Sequence, residues 1–177
     1  MSRAPYRTSG GPSAEGIFTA YNLWYEVPDR MYCINYSRGQ LIPAGYRVAS
    51  IDSFHRAFKK NPAVRFTLEG VTGYFDIYFN AGYHPGVDFT GFCNRLFVRQ
   101  PFNELTRGLS LLELESIRRG RLAAGMCRRA VLIALGYPPE HRTPTLEART
   151  WTYWESRFKE RVVRFDARGL TTPEGSS

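Results

Sequence analysis

The residues of this chain that are best suited to bind a metal lie between positions 84 and 93. His84, Asp88 and Cys93 fall within ten residues of one another, and imidazole, carboxylate and thiolate groups all bind zinc. The stretch lacks the two histidines, four residues apart, of an HExxH helix. His84 precedes Pro85 and Gly86, as in a loop, and Cys93 falls on an apolar helical stripe. We therefore predict no metal site.

Covalent catalysis needs a serine or cysteine nucleophile, a nearby base and an orienting acid. The chain has three histidines, no GxSxG elbow and no papain-like cysteine context. Glu113 and Glu115 form a carboxylate pair, but the start of a helix explains their positions better. The glycines at 70 and 73 are typical of a hairpin turn rather than a phosphate-binding loop. The sequence predicts neither catalytic residues nor a cofactor.

The strongest chemical signal is a cluster of arginines in the C-terminal half. Residues 118–129 contain no acidic residue and five arginines, which are Arg118, Arg119, Arg121, Arg128 and Arg129. If one helix ends where the next begins, their guanidinium groups meet at one end of the helical layer. Guanidinium groups bind carboxylates and phosphates, so the cluster predicts a binding surface for an acidic protein or for RNA. The alternative is a solvated helix end that keeps the protein soluble.

The composition is that of a folded, basic protein. The 177 residues are 43% hydrophobic and 15% aromatic, and the formal net charge is +8. Such a chain buries enough apolar surface to offset the entropy of ordering. Of its 24 basic residues, all but Lys59, Lys60 and Lys159 are arginine. The excess of positive charge favours an acidic partner, although a GC-rich genome also enriches a protein in arginine.

The cysteines indicate in which cellular compartment the protein is found. Cys33, Cys93 and Cys127 lie far apart, are odd in number and form no CxxC pair, which argues against a zinc ribbon and against a disulfide framework. We expect an intracellular, reducing compartment, either the cytoplasm with its cytoskeleton or an organelle. The periplasm is the alternative if a leader was removed. No apolar stretch approaches the length of a membrane span.

The sequence predicts polar segments at both ends of the chain and short strands in its first half. Residues 1–16 predict a flexible N-terminal arm, and residues 171–177 predict a C-terminal tail. Alternating apolar residues and turn signals predict five strands, at 17–25, 31–36, 45–52, 63–69 and 73–79. The segment RGQLIPAGYRVASI resembles the second-strand region of bacterial SH3-like barrels. We therefore expect a five-stranded SH3-like barrel over 17–86.

Helical periodicity begins after the last of these strands. An apolar stripe predicts a helix over 87–99, within a linking helix and loop that occupy 87–108. Ser110 and Glu113 have the spacing of a capping box, and Gly120 should end the helix that they begin. A third helix is predicted over 127–135. A final hairpin should pair residues 150–155 with 161–166.

The order of these elements over 109–170 resembles the SmpA/OmlA family, whose members include the outer-membrane assembly lipoprotein BamE. The residues that carry the resemblance and define the fold are Gly120, Gly125, Met126, Gly136, Pro138, Trp151, Tyr153 and Phe165. Ile117, Val131, Leu135, Val163 and Gly169 also match. The resemblance implies two helices packed on an antiparallel sheet, in a protein-interaction module with no active site.

Together these observations predict an α+β protein in which an SH3-like barrel precedes a BamE-like domain. We expect a non-enzymatic structural or adaptor subunit that binds other proteins in a larger assembly, such as an acidic cytoskeletal filament. One alternative is an RNA-binding subunit of a ribonucleoprotein. Another is a bacterial envelope protein of the BamE type whose leader has been removed.

Overall fold

The computed structural model describes residues 16–55 and 61–173, and it confirms the α+β class. The predicted N-terminal arm lies outside the described residues except for Gly16, and so do the last four residues of the predicted tail. The described residues form ten β-strands and four α-helices. None of these helices is both long enough and apolar enough to cross a membrane.

A curled six-stranded sheet, shaped like half a barrel, dominates the N-terminal half. Its strands, in chain order, are β1 (Ile17–Thr19), β3 (Met31–Tyr32), β5 (Arg47–His55), β6 (Pro62–Leu68), β7 (Phe75–Tyr78) and β8 (Phe97–Val98). The spatial order is β3-β7-β6-β5-β1-β8. All neighbours are antiparallel except β3 and β7, which are parallel. In β6 the alternating residues Val64, Phe66 and Leu68 are buried, as the period-two pattern predicts.

The prediction of one continuous strand over 17–25 is wrong. The chain leaves the sheet after β1, and Leu23–Tyr25 forms β2, which pairs with β4 (Gln40–Ile42) in a separate two-stranded sheet. The break occurs at Asn22, whose backbone N–H donates to the carbonyl of Ile133 at 2.9 Å instead of to a neighbouring strand. A distant helix therefore satisfies this buried donor and interrupts the ladder.

The helix predicted over 87–99 is shorter than expected. It forms α1 (Phe89–Leu96), and the Asp88 side chain caps it by accepting the Gly91 N–H at 2.7 Å. Residues 97 and 98 are extended because they pair with β1 as β8. A short helix that the sequence did not predict, α2 (Phe102–Leu105), follows Pro101.

The C-terminal elements match the sequence expectations closely. They are α3 (Leu111–Arg119), α4 (Arg128–Leu135), β9 (Thr150–Ser156) and β10 (Lys159–Arg164), and the two strands pair as an antiparallel hairpin. The capping box of Ser110 and Glu113 is confirmed. Gly120 ends α3 in the left-handed conformation, with φ of 60°.

Two apolar clusters form the interior. One lies between the six-stranded sheet and α1, and the other lies between α3, α4 and the hairpin. Ala44, from the turn between β4 and β5, is buried in the second cluster. Asn35 adds a polar connection, because its side-chain amide donates to the carbonyls of Asn22 and Leu135, both at 3.0 Å. The two halves of the chain are thus packed and hydrogen-bonded together.

Candidate functional site

Helices α3 and α4 begin at the same end of the helical layer. The Glu113 carboxylate in the first turn of α3 accepts the N–H of Cys127, which caps α4, at 2.8 Å. At the opposite end, Asn22 donates its side-chain amide to the carbonyl of Ile117 at 2.7 Å and its backbone N–H to that of Ile133. The first turns of the two helices are therefore neighbours, and so are the last turns.

This arrangement separates the five arginines of the predicted cluster into two groups. Arg118, Arg119 and Arg121 lie at or just beyond the C-terminal end of α3, whereas Arg128 and Arg129 lie in the first turn of α4. A nine-residue helix spans about 14 Å at 1.5 Å per residue. Residues 121–126 return along that length, so the two groups are attached at opposite ends of the helical layer.

The two arginines of α4 bind backbone carbonyl groups of their own protein. Arg128 donates to the carbonyl of Ala148 at 3.0 Å, and its guanidinium lies 4.7 Å from the centre of the Phe165 ring. Arg129 donates to the carbonyl of Arg107, which precedes α3. These contacts hold the start of α4 against neighbouring loops, which is a structural role.

The three arginines at the end of α3 are exposed. Arg119 forms an ion pair with Glu115, one turn earlier, at 2.6 Å. Arg118 lies over the ring of Phe102, 5.5 Å from its centre, and has no carboxylate partner among the described residues. Arg121 likewise has none within that part of the chain. Positive charge is favourable at the C-terminal end of a helix, so the unpaired side chains of Arg118 and Arg121 cost the fold little.

A close contact with the N-terminal half supports this end of α3. A Cβ atom added to Gly120 would lie 2.8 Å from Cζ2 of Trp24 and 3.4 Å from Cδ2 of Leu41. Both residues belong to the small sheet of β2 and β4. The arginines therefore lie where the end of α3 packs closely against the N-terminal half. We name the exposed group of Arg118, Arg119 and Arg121 the arginine surface.

The fold-defining residues lie in and around the second apolar cluster. Met126 and Trp151 are completely buried, and Phe165 packs edge-on against Trp151 with ring centres 4.7 Å apart. The hydroxyl of Tyr153 donates to the carbonyl of Gly136 at 2.9 Å, and burial raises the pKa of Tyr153 well above its usual value. Pro138 is buried after Gly136. Gly125 has φ of 88° and faces open space.

The three residues considered for a metal have other surroundings. His84 is buried, with Nε2 3.2 Å from the carbonyl oxygen of Cys33, and burial lowers its pKa. Asp88 caps α1, and Cys93 is partly buried beside the first apolar cluster, where burial raises its pKa to about 11. Across residues 16–55 and 61–173 no group of three metal-binding side chains lies together.

Sequence analysis missed a set of aromatic rings that the fold gathers on one surface. Tyr32 and Tyr36 are 6.3 Å apart, Tyr83 and His141 are 5.3 Å apart, and His141 stacks on Trp154 at 6.5 Å. The backbone N–H of Ser37, the neighbour of Tyr36, donates to the carbonyl of Trp154 at 3.2 Å and so places the two sets of rings side by side. We name these five residues the aromatic surface. No local pattern predicts it, because its members come from four distant segments.

The fold is that of an α+β protein, with an exposed arginine surface and an aromatic surface at the junction of its halves. The chain matches no protein-family model, no curated protein and no solved structure.

Proposed function

We propose that this protein is a non-enzymatic adaptor subunit that binds an acidic surface of another protein within a larger assembly. In this proposal an SH3-like module in the N-terminal half packs against a BamE-like module in the C-terminal half. The acidic lattice of a cytoskeletal filament is a partner of the required charge. A reducing, intracellular location accords with the free thiols of Cys33, Cys93 and Cys127.

The observation that carries the proposal is the arginine surface. Arg118 and Arg121 are exposed and form no ion pair within the described residues, and Gly120 between them packs so closely on Trp24 that an added Cβ would lie 2.8 Å from its ring. A rigid support lowers the entropy that ordering costs on binding, and arginine is enriched among the residues that dominate binding energy. Trp24 and Leu41, which are half-buried beside Gly120, offer apolar contact area to a protein partner.

Affinity capture of the full-length protein at low salt tests the proposal. We expect a fixed set of proteins to be captured, to survive nuclease treatment and to be lost when Arg118 and Arg121 are both changed to glutamate. The matched control changes Arg30 and Arg99, two exposed arginines elsewhere, to glutamate, so the net charge falls equally. Equal loss of the captured proteins in both variants would show that only total charge matters and would contradict the proposed role of the arginine surface.

The aromatic surface favours RNA binding as a second candidate. Tyr32 is 52% exposed, and the exposed Arg157 lies in the turn of the hairpin that carries Trp154. Bases stack on exposed aromatic rings, and basic groups beside the rings bind the phosphates. Binding of a uridine oligonucleotide should then weaken at least tenfold in Tyr32→Ala, remain in Tyr32→Phe, and fall log-linearly with salt. Equal binding by the alanine and phenylalanine variants would remove this candidate.

A further inference from the structure

One side of α3 carries exposed apolar and basic side chains in line. Leu111 is 84% exposed and Leu112 is 49% exposed, and neither belongs to an apolar cluster of the described residues. Arg118 and Arg119 follow two turns later and are also exposed. We infer that this side of α3 binds an amphipathic helix of the partner, with apolar residues against the leucines and acidic residues against the arginines; this inference rests on the proposed function.

Helical geometry places these side chains on one stripe. Successive residues of an α-helix turn by about 100°, so residues seven apart lie within about 20° of each other around the axis. Leu111 therefore aligns with Arg118, Leu112 aligns with Arg119, and Glu115 lies between the two pairs. The buried residues of α3 lie on the other side of the helix; they are Glu113, Ser116 and Ile117.

The folding of α3 does not explain the two leucines. Ser110 and Glu113 cap the helix through the capping box without them, and they lie away from its buried side. Single exposed apolar residues are common on protein surfaces, but Leu111 and Leu112 are adjacent and share their stripe with charged groups. An apolar centre with charged groups at its edge is the usual anatomy of a binding surface.

The charges along the stripe select acidic residues in the occupant. Glu115 is already paired with Arg119 at 2.6 Å, so these two residues together add no net charge. Arg118 forms no ion pair within the described residues, and its guanidinium lies 5.5 Å from the centre of the half-buried Phe102 ring. Arg121, just beyond the helix, adds a second positive charge without an ion pair in that part of the chain. The C-terminal end of the stripe is therefore complementary to carboxylates.

The spacing along the stripe selects a helical occupant. Leu111 and Arg118 are separated by about 10.5 Å along the axis, at 1.5 Å per residue. Residues two turns apart on a second helix beside α3 have the same separation and share one face. An extended segment repeats its same-face side chains about every 6.7 Å, which does not match. Strand addition also needs free backbone groups, and those of a helix interior are bonded within the helix.

The first test uses a fluorescent peptide, held helical by a side-chain lactam, with leucines on one face and glutamates two turns away on that face. We expect the full-length protein to bind it and the double variant Leu111→Ser, Leu112→Ser to weaken binding at least about tenfold. The matched control changes Val71 and Phe158, two exposed apolar residues elsewhere, to serine and should bind within about twofold of the wild type. Equal binding by the two double variants would overturn the inference.

A second peptide tests the alignment of apolar and acidic residues. It has the same composition, but its leucines and glutamates lie on opposite faces of the helix. We expect it to bind at least about tenfold more weakly, because it cannot meet the leucines and the arginines of the stripe at once. Equal binding of the two peptides would show that composition alone decides and would overturn the inference.

Photo-crosslinking identifies the occupant directly. A benzophenone amino acid replaces Leu111 in the full-length protein, which is then irradiated in the cells that make it. We expect cross-links to a segment of another protein in which acidic residues lie two helical turns from large apolar residues. Cross-links to residues 1–15, 56–60 or 174–177 of the same chain, or to a second copy, would identify those as the occupant and would overturn the inference.

Partner capture separates this inference from the proposed function. A captured partner that is lost with Arg118→Glu and Arg121→Glu but retained by the double variant Leu111→Ser, Leu112→Ser would overturn the helix site and leave the adaptor role standing. Peptide binding that depends on the two leucines, without any captured partner, would support the helix site and contradict the adaptor role.

Discussion

The carboxylate of Glu113 in α3 accepts the backbone N–H of Cys127 at the start of α4, at 2.8 Å. Its other oxygen accepts the N–H of Ser110 at 2.8 Å. One side chain therefore satisfies the free N–H groups at the beginnings of two helices, where negative charge is also favoured by both helix dipoles. Cys127 makes no capping hydrogen bond with its own side chain, and Glu113 instead binds the backbone N–H of this N-cap residue at the start of α4.

Replacing this carboxylate by an amide should destabilise the protein. Glu113 is 7% exposed, and Glu113→Gln removes the charge from bonds that are charge-assisted. We expect the free energy of unfolding at pH 7 to fall by about 1.5–3 kcal/mol. Urea denaturation measures it, with Glu115→Gln on the exposed face of α3 as the control. A change below about 0.5 kcal/mol would show that the carboxylate does not stabilise the two helix starts.

The same carboxylate should make stability depend on acid. Burial raises the pKa of Glu113, but the hydrogen bonds from Cys127 and Ser110 outweigh this and lower the pKa from 4.5 to about 2. Because the folded pKa lies below the unfolded one, the stabilisation is complete above the unfolded value and is lost as pH falls from about 5 towards 2. The wild type and Glu113→Gln should therefore converge in stability over that range. Parallel curves would contradict the assignment.

Asn22 should be as important to stability as a large core residue. It is fully buried, donates to the carbonyl of Ile117 at 2.7 Å and accepts the N–H of Ala44 at 2.8 Å. Asn22→Ala leaves the buried N–H of Ala44 without a hydrogen bond and removes one of the two bonds to the Ile117 carbonyl, which still accepts the Gly120 N–H at 3.0 Å, at a cost of about 2–3 kcal/mol. Denaturant unfolding checks this, and exposed Asn103→Ala should change stability by less than about 0.5 kcal/mol. A loss equal to that of the control would contradict the role of Asn22.

Local signals made parts of this fold predictable. The capping box of Ser110 and Glu113, the stop at Gly120 and the final hairpin depend on residues close in sequence, and each is found as predicted. The break of the first strand depends on a bond from Asn22 to Ile133, more than a hundred residues later, so the local pattern contained no sign of it. The separation of the arginines has a similar cause, since the path of residues 121–126 decides which helix ends are neighbours.

Two glycine positions allow the cost of crowding between residue 120 and Trp24 to be measured. Gly120 and Gly125 both have positive φ, but a Cβ at 120 meets Trp24 at 2.8 Å whereas one at 125 meets no atom within 4 Å. Gly125→Ala should cost about 1 kcal/mol from backbone conformation alone. Gly120→Ala should cost about 1–3 kcal/mol more, because Trp24 must move. Thermal unfolding of the two variants measures their losses of stability. Equal losses would show that Trp24 moves aside at no measurable cost.

The ion pair of Arg65 and Asp76 should contribute more than any surface pair of this protein. Arg65 and Asp76 lie opposite each other on β6 and β7 and bond through two contacts, of 2.7 and 2.8 Å. Asp76 is 2% exposed, and the guanidinium lies 3.7 Å from the centre of the Tyr74 ring. The planar fork makes both bonds at once, which an ammonium group on a flexible stem cannot do.

Asp76→Asn should therefore lower the free energy of unfolding by about 2–3 kcal/mol, less than for a fully enclosed pair because the Arg65 side chain is 38% exposed. Arg65→Lys should retain only part of the stability that the ion pair provides, because lysine keeps the charge but loses the second bond. The control is Glu69→Gln, which breaks the exposed pair with Arg47 and should cost less than about 0.5 kcal/mol. If urea midpoints for Asp76→Asn and Glu69→Gln coincide, burial of this pair adds nothing to the stability of the sheet.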